Sequence, residues 1–117
     1  MPRIEIGHIT LNVEDSGPRD GAPVVFAGAL GTDLSIWEPL IARMPDRFRL
    51  IRTDLRGHGG SGIPPGPYSM GAMVRDAEAL LDTLALRDAV FVGLSVGGLV
   101  AQGLAVKRMD QVRGLVL

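Results

Sequence analysis

The residues best placed to do chemistry are Gly93-Leu94-Ser95-Val96-Gly97. They lie between a short apolar run, Ala89-Val90-Phe91-Val92, and a segment with helical spacing. A serine flanked by glycines two positions away on each side is the pattern of a nucleophilic hydroxyl on a sharp strand-to-helix turn. Strain in the serine backbone lifts the hydroxyl above the sheet. Side chains at 93 and 97 would meet neighbouring backbone, so both positions call for glycine. The turn also opens a helix, whose unpaired N–H groups and positive dipole end favour negative charge developing nearby. The Val96 N–H is therefore a candidate oxyanion donor, and the matching chemistry is acyl transfer. A glycine-rich turn holding an unreactive serine has the same five residue types. A dinucleotide-binding turn would need glycine at 95 and an acid about 20 positions on, where Arg113 stands. A phosphate-cradling loop would need Gly-Lys-Ser/Thr, and no lysine is near.

Two more glycine-bearing loops precede this turn. Gly28-Ala29-Leu30-Gly31-Thr32-Asp33 follows the apolar run Val24-Val25-Phe26-Ala27, with Trp37, the sole tryptophan, just beyond. Trp37 either lines a pocket or packs into the core. Asp54-Leu55-Arg56-Gly57-His58-Gly59-Gly60-Ser61-Gly62 is too rich in glycine for a simple connection. A catalytic pairing of Asp54 with His58 is one reading. The favoured one is a buried ionic network ordering the loop beside the serine turn. Asp54 and Arg56 would pair with each other and with backbone amides, leaving His58 a structural role. Ser61 reads as a turn residue and His8 as a surface strand residue.

These loops need rigid elements to position them. Ile4, Ile6, Ile9, Leu11 and Val13 alternate loosely with polar residues, as in two short strands or a hairpin. Ser16 to Gly21 is a turn cluster. Strands are expected at Val24–Ala27, Phe48–Thr53, Ala89–Val92 and from Val112 to Leu117. A helix is expected over Ile36 to Arg43 with Ser35 as its cap. A second begins after Ser69, with Met73, Ala77, Leu80, Leu81 and Leu84 on its apolar face. A third follows Ser95, with Leu99, Val100, Gly103 and Leu104 on one face. A proline-rich loop covers Ile63 to Pro67. Strands alternating with helices predict an α/β fold, a mostly parallel sheet with helices on both faces.

Composition sets the outer bounds. The chain has 117 residues, 46% apolar and 21% charged, with a formal net charge of -1, as in an ordinary globular domain. No basic field exists to attract nucleic acid or an anionic membrane, so neither is expected as a partner. No cysteine is present, which excludes disulfides and thiolate metal sites and fits a reducing compartment. No apolar stretch approaches the roughly 20 residues of a membrane span.

Taken together, Phe26-Ala27-Gly28-Ala29-Leu30-Gly31-Thr32, Asp54 through Ser61, and Gly93 through Gly98 resemble the α/β-hydrolases in order and spacing. Gln102-Gly103-Leu104-Ala105 and Val112 to Leu117, with Leu30-Gly31-Thr32 and Trp37, look most like the 3-oxoadipate enol-lactonases. One departure is that Gly28 and Ala29 stand where that subfamily often has a polar pair. The resemblance implies a cytoplasmic, cofactor-free, metal-free serine hydrolase of aromatic-compound catabolism, opening 3-oxoadipate enol-lactone to 3-oxoadipate. Ser95 would be the nucleophile. The N–H of Leu30, in the loop after the third strand, would join that of Val96 as oxyanion donor. Other esterases, carbon–carbon bond hydrolases and haloperoxidase-like enzymes share these motifs, and a non-catalytic receptor or scaffold is the reading from another class. The order implied for the triad is Ser, then Asp or Glu, then His. After Ser95 the chain has one acid, Asp110, which reads as a loop residue, and no histidine. Residues 1–117 are thus expected to be the N-terminal part of one hydrolase domain. Lid, acid and histidine would lie in a further portion, and this piece alone would be inactive.

Overall fold

The apolar runs pair side by side in the computed structural model, which describes residues 3–5, 9–63 and 68–117. Ile6, His8 and residues 64–67 of the proline-rich loop, each given a reading above, lie outside the described residues. Strands β1 (Arg3–Glu5), β2 (Thr10–Ser16), β3 (Ala22–Ala27), β4 (Phe48–Thr53), β5 (Ala89–Gly93) and β6 (Val112–Val116) form one sheet in the order β1-β2-β4-β3-β5-β6. β1 and β2 are an antiparallel pair, and β2 joins β4 antiparallel. The remaining pairings, β3 with β4, β3 with β5 and β5 with β6, are parallel. Parallel neighbours need long crossovers, and the helical segments between these strands supply them.

Alternation along the central strands divides the core in two. On one face, Val25 and Ala27 of β3 and Ile51 of β4 join residues of helices α2 (Met70–Thr83) and α3 (Val96–Lys107). On the other, Val24 and Phe26 meet Leu50 and Trp37. Trp37 ends a 3-10 turn at Leu34–Trp37 that runs into α1 (Glu38–Ile41). Its ring centroid lies 5.2 Å from that of Phe26, at 49°. Helical segments therefore cover both faces. β3 is buried on both sides over Val24–Ala27, which accounts for its unbroken apolar run.

The helices depart from the sequence reading in detail. The first is shorter than expected and begins with a tight turn. Asp33, rather than Ser35, caps it by accepting the Ser35 N–H at 2.9 Å. Ser69 caps α2, its Oγ accepting from the Ala72 N–H at 3.1 Å. The α2 stripe buries Met73, Ala77, Leu80 and Leu81 as expected, and includes the charged Asp76. On α3, Val100, Ala101 and Leu104 are buried while Leu99 points outward, so Leu99 does not belong to the inner face. Gly103 lets α3 approach α2, because a Cβ there would press on Val74 at 2.8 Å.

Candidate active site

Ser95 sits between the last residues of β5 and the first turn of α3, with φ 57° and ψ −114°. Left-handed φ is uncommon for a residue with a side chain and costs about 1–3 kcal/mol, so the surroundings must enforce it. They do so by close approach. A Cβ on Gly93 would overlap the Gly97 carbonyl, and one on Gly97 would overlap the carbonyl of Ala27. No substituted residue fits at either place while the bend stays this tight. The Ser95 side chain is exposed, and its hydroxyl has no hydrogen-bond partner among the described residues.

The same close approach fastens the turn to the end of β3. The Leu94 N–H donates to the Ala27 carbonyl at 3.1 Å, and the Gly97 N–H donates to the Gly28 carbonyl at 3.1 Å. The loop after β3 is itself a closed turn, in which Thr32 donates to the Ala29 carbonyl through its N–H at 3.3 Å and its Oγ1 at 2.6 Å. Gly31 occupies φ 75° inside that turn, a conformation glycine adopts without penalty. The structure thus brings Leu30, Ser95 and Val96 onto two loops bonded to each other. The N–H groups of Leu30 and Val96 donate to no other group among the described residues. Trp37 lies elsewhere, in the core beneath the sheet, because its large apolar ring gains more from packing on Phe26 than from solvent.

The loop after β4 is a buried polar network, but its pairing differs from the sequence reading. Arg56 does not meet Asp54. It forms a two-pronged bond to Asp76 of α2, at 2.6 and 2.7 Å. Asp54 instead accepts from Asn12 Nδ2 and the Gly60 N–H, each at 2.9 Å. Ser61 is more than a turn residue. Its hydroxyl donates to the Asp54 carbonyl at 2.8 Å and accepts from the Asn12 N–H at 2.9 Å. The His58 Nδ1 lies 3.0 Å from the Arg56 carbonyl and makes no bond to Ser95 or Asp54. Asp110, after α3, is exposed and faces Arg87 at 3.9 Å. Neither Asn12 nor Asp76 was singled out by the sequence. Asp76 left a signal, a charge set into an apolar helical stripe. Asn12 left none, because its partner is 42 positions away.

The sequence model of the alpha/beta hydrolase fold matches residues 22–117. The chain belongs to the α/β-hydrolase family. It is 41% identical over 107 residues to 3-oxoadipate enol-lactonase 2 of Acinetobacter baylyi, covering 89% of this chain and 40% of that protein. It is 38% identical over 114 residues to the 2-(acetamidomethylene)succinate hydrolase of Mesorhizobium japonicum, covering 97% of this chain and 40% of the relative. Among solved structures, the enol-lactonase from Burkholderia xenovorans LB400 superposes with a TM-score of 0.92 at 37% identity, over 97% of this chain and 45% of that one. The chain spans less than half the length of each of these α/β-hydrolases.

Proposed function

We propose that the complete protein is a serine hydrolase of small lactones or esters, with 3-oxoadipate enol-lactone as its first-choice substrate. The carrying observation is Ser95 held at left-handed φ in an exposed position, on a turn whose neighbours Leu94 and Gly97 bond to the carbonyls of Ala27 and Gly28, just before the loop that carries Leu30. In this reading Ser95 Oγ attacks the lactone carbonyl carbon. The amides of Leu30 and Val96 stabilise the tetrahedral oxyanion, a contribution of about 3–4 kcal/mol for a single donor in other enzymes. The ring C–O bond breaks, the enol oxygen takes the proton released by the serine, and the enol ketonises. Water then cleaves the acyl–serine ester and regenerates the hydroxyl. The general base and its orienting acid are proposed to come from residues beyond 117, because His58 Nδ1 meets the Arg56 carbonyl and no histidine follows Ser95. The names of the similar proteins from Acinetobacter and Burkholderia support the choice of enol-lactone. The reading places the protein in the cytoplasm, without cofactor, in the breakdown of aromatic compounds.

The test is covalent labelling of the complete protein by a fluorophosphonate, followed by peptide mapping. Label at Ser95 is expected. A folded protein that takes no label would leave a ligand receptor or scaffold as the better reading. An ultraviolet assay then compares the enol-lactone with 2-(acetamidomethylene)succinate and simple aryl esters. A preference for either of the latter keeps Ser95 as nucleophile and replaces the substrate.

A further inference from the structure

Ala29-Leu30-Gly31-Thr32 is a four-residue turn, closed by the Thr32 N–H on the Ala29 carbonyl at 3.3 Å. Of its two central residues only Gly31 has positive φ, at 75°, as in a type II turn. The Thr32 hydroxyl makes a second and shorter bond to the same oxygen, at 2.6 Å. It finds room to reach back because position 28 is glycine. A Cβ there would lie 2.7 Å from Thr32 Oγ1. Gly28 also carries the carbonyl that accepts the Gly97 N–H of the serine turn at 3.1 Å. The hydroxyl therefore acts where the two loops are joined.

The Ala29 carbonyl and the Leu30 N–H belong to one planar peptide unit, and in a trans peptide the two point in opposite directions. Two bonds on the oxygen fix the tilt of that plane, and so fix where the N–H points. Each bond also draws charge toward the oxygen and makes the N–H a stronger donor. Closing the turn takes one bond, and the main chain already supplies it. The distinct effect of the hydroxyl falls on the amide. A donor serves an oxyanion only when aimed at the place the oxygen takes in the tetrahedral state, so a small tilt matters. We propose that Thr32 is a positioning residue for acyl transfer, its hydroxyl aiming and polarising the Leu30 N–H through the Ala29 carbonyl. This role rests on the reading of Ser95 as nucleophile and of the Leu30 N–H as oxyanion donor.

The experiment uses the complete protein with p-nitrophenyl acetate as probe ester, because acylation and deacylation both pass through an oxyanion. Thr32→Val keeps the branched shape and removes the hydroxyl. It is expected to lower kcat about ten-fold with KM within about two-fold of wild type, since the lost aim is felt in the transition state and not in binding. Fluorophosphonate labelling of Ser95 should slow by about the same factor yet reach the same final stoichiometry, which separates a misaimed site from an unfolded one. Thr32→Ser restores the hydroxyl and should recover most of kcat. Thr32→Ala demands no space, should show the same loss, and decides the matter if Thr32→Val does not fold. Wild-type kcat and labelling rate in a folded hydroxyl-free variant would overturn the role of Thr32 while leaving Ser95 as nucleophile. So would a loss that Thr32→Ser does not recover, or a change confined to KM. A wild type that neither turns over the ester nor takes label would overturn the reading of Ser95, and the role of Thr32 with it.

Discussion

At the scale of the residue, Ser95 joins a backbone cost to an exposed hydroxyl. Its left-handed φ is enforced from outside by the Ala27 and Gly28 carbonyls and the two glycines around it. Relieving that strain should separate stability from activity. Ser95→Gly in the complete protein is expected to raise unfolding stability by about 1 kcal/mol, read as a shift in urea midpoint at constant slope, while abolishing fluorophosphonate labelling. Loss of stability would mean that the hydroxyl or Cβ makes a contact absent from the structure. The glycines at 93 and 97 were legible in the sequence because close approach permits no other residue. The partner of Arg56 was not legible. Asp54 and Asp76 are both acids of the right reach, and only the packing of α2 decides between them.

Elements were legible where apolar period and capping chemistry agree, as at β3, β4 and the start of α2. They were less so at α1, where Asp33 and Ser35 compete for one cap and the helix lasts four residues. The end of α2 carried no sequence signal at all. There the Leu86 N–H donates to the Leu81 carbonyl at 2.9 Å and the Ala85 N–H to the Asp82 carbonyl at 3.1 Å. This is the paired bonding of a left-handed helix stop, with alanine at φ 53° where glycine is the usual residue. Ala85→Gly should therefore stabilise by about 0.5–1 kcal/mol, measurable by thermal or urea unfolding. The tie between α2 and the loop after β4 should respond in the opposite sense. Asp76→Ala leaves the Arg56 guanidinium buried without its carboxylate and is expected to cost about 3–5 kcal/mol. Adding Arg56→Met should recover most of that loss, since two apolar residues can fill the space of a buried pair.

Over the whole molecule, carboxylates fastened to arginine and lysine hold distant elements together. A hydrogen bond from Lys107 holds the Glu78 carboxyl below its usual range, with Arg108 adding to it against the opposing effect of burial. Arg108 also lowers Asp82, helped by Gln111, so the end of α3 is moored to α2. Burial pushes Asp15 up, but Arg49 and Arg19 together outweigh it and leave this carboxyl lowered too. All three groups ionise more readily in the folded chain, so the unfolded chain takes up more protons as the pH falls. Their contribution should be complete above about pH 5 and drain away below the ordinary carboxylate range of about 4. A series of thermal midpoints from neutral to acid pH should be flat in its upper part and fall steeply in its lower part. A midpoint that rises on acidification would contradict these pairings.

The two hydrogen bonds that moor the bend after β5 to the carbonyls at the tip of β3 give the oxygen of residue 95 and the amide at residue 30 a common frame. A displacement of either strand carries both along together. On the proposed chemistry, the angle of attack is then fixed by main chain before any substrate arrives. Whatever shapes the rest of the pocket can change in sequence and contour without retuning it.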